Sequence, residues 1–215
     1  LETGKHEVSN ASWVLHDGVG YFFPEEEDVA VSNVTATGNW RDINHQANAL
    51  SEDVSMDVFT LWINHGAKPR NGTYEYIVVP SAETAGMERH EKSNPIEIIE
   101  NTPELQAVRH RDLNWTQVAF YEPGEVKLSD QVTLSAANPC VLIVKTNGKS
   151  IEQIAVADPT HVLTAVQLKT SAIVEGMGDG WQAAWNKKDK ESVIDITLPS
   201  EGYAGQSVIL TLAGL

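Results

Sequence analysis

Trp40, Arg41, Asn44 and His45 fall close together in GNWRDINH, and their side chains carry the chemistry of sugar recognition. An indole stacks on the face of a sugar ring, while guanidinium and amide groups hydrogen-bond its carboxylates and hydroxyls. The competing reading of the same residues is a packed Trp40 beside a surface Arg41. A second stacking platform is offered by Trp181 and Trp185 in the segment from Glu175 to Lys190, which is expected to be a loop. Among the histidines, His16, His45, His65 and His110 are the natural general bases, because imidazole titrates near neutral pH. Three of them sit at turns and His110 at a basic strand end, so structural or solvent-facing roles are expected. His65, in Asn64-His65-Gly66, is expected to close a strand end through hydrogen bonds, and Asp17 to serve a hairpin turn.

Other chemistries find little support. Cys140 is the single cysteine, which excludes an intrachain disulfide and a thiolate metal cluster. Its setting, NPCVLIV, is that of a small buried hydrophobe. The sequence has no G-x-S-x-G, H-E-x-x-H, Walker loop or C-x-x-C, and GMGDG lacks the strand-then-helix setting of a dinucleotide site. The acidic run Glu25 to Asp28 could attract calcium, but that ion wants six to eight converging oxygens. A contiguous run presents them poorly, so a solvated loop is expected. Four Asn-x-Ser/Thr sites, at Asn10, Asn33, Asn71 and Asn114, matter only in a glycosylating host.

The elements that would position these residues are strands. Val14-Leu15 and Val19 to Phe23 flank Asp17-Gly18, the pattern of a tight hairpin. Strands are expected over Val29 to Thr37 and Val54 to Ile63. In the latter, Phe59, Leu61 and Ile63 alternate with Val58, Thr60 and Trp62. Tyr74 to Val79 alternates in the same way, so both runs have two useful faces and belong in a packed sheet stack. Trp13, Trp62 and Trp115 are accordingly assigned to the core. Ser81 to Ala85 offers a short helix start. Further strands are expected over Ile96 to Glu100, Leu105 to His110, Thr116 to Tyr121, Val132 to Leu134, Cys140 to Lys145, Ile151 to Val156, Leu163 to Lys169, Ser192 to Leu198 and Ser207 to Leu212. The breaker pair in Glu122-Pro123-Gly124 marks a boundary. The fold class is therefore all-β, in two units spanning 1-122 and 123-215.

Acidic residues outnumber basic ones 30 to 15, a formal net charge of -15. That balance argues against nucleic acid and against anionic membrane surfaces, which reward a basic stripe. No run approaches the roughly 18 apolar residues of a membrane span. The local basic groups, Lys68 with Arg70, Arg89 with Lys92, Arg109 with Arg111, and Lys187, Lys188 and Lys190, are expected on solvated surface. The polar opening LETGKHEV leads directly into a strand and suggests a piece of a longer precursor.

WVLHDGVGYFFP, GNWRDIN, FTLWINHG, YEYIVVP and the later VADPT, in that order, resemble polysaccharide lyase family 8, the hyaluronate, chondroitin and xanthan lyases. The resemblance implies the latter part of a large antiparallel β-sandwich over 1-122, followed by a small carboxy-terminal β-sandwich over 123-215. It implies β-elimination on an acidic polysaccharide by a secreted or periplasmic bacterial enzyme, with no cofactor and no metal. The asparagine, histidine and tyrosine of that chemistry belong to an amino-terminal helical toroid, and no residue here matches them. The chain is thus expected to hold no catalytic residue and to act as scaffold and cleft wall, with Trp40, Arg41, Asn44 and His45 as its substrate contacts. The alternatives are a non-catalytic glycan-binding or adhesive module built on Trp181 and Trp185, and a glycosidase, for which no carboxylate pair can be placed.

Overall fold

The computed structural model describes residues 2–212. The chain divides into two compact units, Leu1–Asn94 and Pro95–Leu215.

The first unit is organised by one long hairpin, β1 (Lys5–His16) and β2 (Val19–Gly38). Asp17 and Gly18 make its turn with φ of 45° and 73°. Positive φ at both positions gives the primed turn whose twist suits a two-residue hairpin, and glycine takes the second without strain. β2 is the central strand: β3 (Val54–Ile63) pairs with its second half and β4 (Ile77–Val79) with its first. Regular β4 is shorter than the alternation from Tyr74 suggests.

β2 cannot be straight. His16 pairs with Val19 at the hairpin tip, and Phe59 pairs with Asn33. Those β2 positions would lie about 45 Å apart along an extended strand. The His16 and Phe59 rings nevertheless stack at 4.1 Å and 9°. The hairpin therefore curls back over β3, and the bend contains the acidic run Glu25 to Asp28. These residues belong to β2 and not to the expected loop. A strand tolerates so many carboxylates here because Glu25, Glu26 and Asp28 are exposed. β1 is irregular opposite the bend, with register shifts on either side of Ala11, and the Asn10 N–H donates to Asp28 Oδ1 at 3.0 Å. Bulges of this kind increase bend and twist.

Inside the curl, Ala11, Val14, Phe23, Val29 and Val31 form a core against which Phe59, Leu61 and Ile63 pack. A smaller cluster, Phe22, Ala82 and Met87, seats α2 (Thr84–Lys92) against Trp13 and Leu15. The opposite face of β3 is uncovered in this chain: Val54, Met56, Val58 and Trp62 are all exposed, Trp62 by 40%. Trp62 is thus not a core residue here, because the core claims only the Phe59 side of the strand.

The second unit is a sandwich of two antiparallel six-stranded sheets. One contains β5 (Ile96–Asn101), β6 (Leu105–His110), β7 (Trp115–Phe120), β10 (Cys140–Thr146), β11 (Ile151–Ala157) and β16 (Val208–Thr211). The other contains β8 (Gly124–Lys127), β9 (Thr133–Ala136), β12 (Ala165–Thr170), β13 (Gly176–Gly178), β14 (Trp181–Asn186) and β15 (Glu191–Thr197). Inward residues of both sheets, including Leu134, Val144, Ile154, Leu168, Ile194 and Leu210, form one core.

This pairing moves the boundary expected near Glu122. β5, β6 and β7 precede that point, yet β7 pairs along its whole length with β10. Main-chain hydrogen bonding therefore carries Ile96 to Phe120 into the second unit, and the division falls at Asn94/Pro95. Arg109, expected on solvated surface, instead holds this sheet's end. Its Nη2 lies 2.7 Å from Glu97 Oε2, and its Nη1 donates to the Leu128 carbonyl at 2.7 Å. Trp115 is half-buried, with Lys145 Nζ 5.8 Å from its ring centroid.

Candidate functional site

Trp40, Arg41, Asn44 and His45 are brought together on the connection between β2 and β3. Gly38 ends β2, and Asn39 then caps α1 (Trp40–Ile43) by accepting the Asp42 N–H at 3.1 Å. The single turn closes when the Asn44 N–H donates to the Trp40 carbonyl at 2.8 Å. Arg41 ties the turn to the returning chain. Its N–H donates to the Leu50 carbonyl at 3.1 Å, and its Nη2 lies 3.4 Å from the Ala49 carbonyl. The Asn44 side chain accepts the Gln46 N–H at 3.1 Å.

All four residues are exposed, and Trp40 retains 59% of its surface, so it is not packed into the core. Ile43 and Leu50 are also open, at 78% and 62%. An exposed indole beside a guanidinium, on a turn held by main-chain bonds, can stack on a sugar ring and pair with its carboxylate.

Trp181 and Trp185 are placed differently from expectation. The segment from Glu175 to Lys190 is mostly the β13–β14 hairpin, with Gly176 opposite Ala183 and Gly178 opposite Trp181. The Trp181 indole lies so close over Gly178 that a Cβ there would collide with it. Trp181 also packs against the sandwich core, and Trp185 is half-buried on the same side of β14. In WQAAWN the odd positions turn inward, an alternation obscured by the preceding glycines and the lack of β-branched residues.

The histidines lie on separate elements: His16 ends β1, His45 is in the β2–β3 connection, His65 follows β3 and His110 ends β6. Strand-end closure at Asn64-His65-Gly66 falls to Asn64, whose Oδ1 accepts the Gly66 N–H at 3.0 Å. His65 instead borders a groove of about 380 Å³ lined by Tyr21, Phe59, Leu61, Trp62, Ile63, Tyr74 and Tyr76. The sequence reading missed this groove, although Tyr74 and Tyr76, two apart in an extended run, signalled a shared aromatic face. Cys140 is buried, and burial, followed by the Asp158 charge, pushes its thiol up to about 12. It remains protonated, as befits a packed hydrophobe. Among the described residues, no group of three or more His, Cys, Asp or Glu is arranged to hold a metal ion.

The VADPT segment has a structural function. Asp158, 3% exposed, accepts from the Thr160 N–H at 2.8 Å and the Thr160 hydroxyl at 2.6 Å with one oxygen. With the other it accepts the Val162 and Leu163 N–H groups, both at 2.8 Å. These bonds, that from the Thr160 hydroxyl foremost, hold its carboxyl down to about 2.

Comparison with known proteins agrees with this layout. The family model for the polysaccharide lyase family 8 super-sandwich domain matches residues 1–91, and that for the C-terminal beta-sandwich domain of the same family matches residues 97–167. The chain belongs to polysaccharide lyase family 8. The interval between the two family 8 matches contains the division between the compact units. Chondroitinase-AC of Pedobacter heparinus is 34% identical over 204 residues, covering 92% of this chain and 26% of that protein. A hyaluronate lyase of Thermasporomyces composti is 29% identical over 210 residues, covering 96% of this chain and 26% of the relative. A solved chondroitinase AC lyase, studied as oligosaccharide complexes, superposes with a TM-score of 0.76 at 29% identity, over 98% of this chain and 29% of that one. The chain spans about a quarter of the length of these family 8 relatives.

Proposed function

We propose that this chain is the carboxy-terminal β-region of a bacterial, secreted or periplasmic polysaccharide lyase that cleaves an acidic glycan, chondroitin or hyaluronan, by β-elimination. In that reaction a base removes the proton beside a uronate carboxylate, and an acid protonates the departing glycosidic oxygen. The pair of electrons left by the proton forms the carbon–carbon double bond of an unsaturated uronate. The base and acid come from a helical toroid of the same precursor. This region contributes scaffold and one wall of the cleft.

The observation that carries the reading is the exposed turn Trp40–His45 on a family 8 domain, with an indole and a guanidinium open to solvent where a polyanionic sugar could meet them. The chain's net charge of -15 repels a polyanion at long range, so most of the cleft's positive charge comes from the rest of the precursor and Arg41 supplies a local charge-assisted contact. The reading as an adhesive module loses its footing, because Trp181 packs into the sandwich.

The test compares this chain with the intact precursor on chondroitin sulfate and hyaluronan, following the ultraviolet absorbance of the unsaturated uronate. The intact protein turns over at least one of them and the isolated chain turns over neither. Sustained turnover by the repurified chain, or none by the folded precursor on either glycan, overturns the reading.

A further inference from the structure

We propose that Asn39 is a positioning residue for the glycan contact: its side chain holds the turn on which Trp40 and Arg41 meet the substrate. The inference rests on the lyase reading, in which those two side chains touch the glycan. α1 is a single turn of four residues, and none of them is buried. Isolated helices are marginal below about 12 to 15 residues, because fixing the first turn's backbone is unfavourable against its single hydrogen bond. Tertiary packing of an apolar face usually offsets this, and α1 has no such face. Polar tethers must therefore hold the turn.

Asn39 provides two of them from one side chain. Its Oδ1 accepts the Asp42 N–H at 3.1 Å, and its Nδ2 donates to Asp42 Oδ2 at 3.0 Å. The first bond satisfies an N–H that the start of a helix leaves without an intrahelical partner. The second fixes the amide's orientation, since a carboxylate only accepts and so claims the NH2. The Asn39 backbone is extended, with φ -132° and ψ 157°, as at an N-cap. The other tethers lie elsewhere on the turn: the Asn44 N–H closes onto the Trp40 carbonyl, and the Arg41 N–H reaches the Leu50 carbonyl. Neither engages the Asp42 N–H. Without the cap that group turns to water, and the turn is formed in a smaller fraction of molecules. Trp40 and Arg41 directly follow the cap, so their joint geometry is lost with it, and apparent affinity falls by that fraction.

The test follows steady-state kinetics of the intact precursor on the acidic glycan it cleaves. Asn39→Ala should raise KM by about three- to tenfold, with kcat and melting temperature nearly unchanged. Asn39→Ser, a neutral residue that still caps, should restore most of the wild-type KM. Added to Arg41→Ala, Asn39→Ala should cost less than it costs the wild type, because it acts through the same contact. Hydrogen exchange at the Asn44 amide of this chain reads the turn without substrate: Asn39→Ala should speed it by about the same three- to tenfold, and Asn39→Ser should leave it slow. Wild-type KM in Asn39→Ala, equal KM in the alanine and serine variants, full additivity with Arg41→Ala, or unaltered exchange overturns the proposal. If Asn39→Ala is silent while Arg41→Ala is impaired, only the positioning role fails and the lyase reading stands. Unchanged kinetics in Arg41→Ala removes the cleft-wall reading and this proposal with it.

Discussion

Replacing Asp158 with asparagine should destabilise the sandwich by about 2 to 3 kcal/mol at neutral pH, and the loss should fade in acid. The carboxylate satisfies three main-chain N–H groups and one hydroxyl with two oxygens. An amide retains one accepting oxygen and turns an NH2 toward donors, which costs both the bonds and their geometry. The folded carboxyl titrates at about 2, against 3.8 for an ordinary aspartate. That gap corresponds to about 2 to 3 kcal/mol of stability, at about 1.4 kcal/mol per unit. Because the folded value is the depressed one, the contribution is complete above the unfolded value and is lost as pH falls from about 4 toward 2. About half should be gone by pH 3. Urea unfolding of wild type and Asp158→Asn, followed by circular dichroism at several pH values from 7 to 3, measures the difference directly. Equal stability at pH 7, or a difference that stays constant down to pH 3, would refute the assignment of Asp158 as an ionised, buried loop tether.

In the intact precursor, Arg41→Ala should lower kcat/KM on the acidic glycan by roughly tenfold or more, since a charge-assisted contact is worth about 1.5 to 3 kcal/mol. Its melting temperature should barely move, and unchanged kinetics with a folded mutant would assign the turn to structure alone. Gly178→Ala should destabilise by about 1 to 3 kcal/mol, because the added methyl meets the Trp181 indole, and calorimetry checks it. The Cys140 thiol should resist a disulfide reagent at pH 8 until denaturant is added, as expected of a buried group titrating at about 12. Rapid labelling of the native chain would contradict that burial.

The sequence alone determined the class of the fold and the family, because both are written in local pattern. Strand alternation, the Asp17-Gly18 turn and the order of WVLHDGVGYFFP, GNWRDIN and VADPT are properties of neighbouring residues. It also set out the residue types of the Trp40–His45 turn. What it could not express is pairing at a distance. The division at Asn94/Pro95 follows from β7 bonding to β10, partners on opposite sides of the Glu122-Pro123-Gly124 breaker. The bend of β2 follows from His16 meeting Phe59, and it turns an apparent acidic loop into an exposed stretch of strand. Periodicity gives a strand two faces without saying which one the core will claim. Tertiary packing decided that Phe59 goes in and Trp62 stays out, that Trp181 joins the sandwich, and that Trp40 remains in water, because burial depends on what the folded chain brings opposite each face.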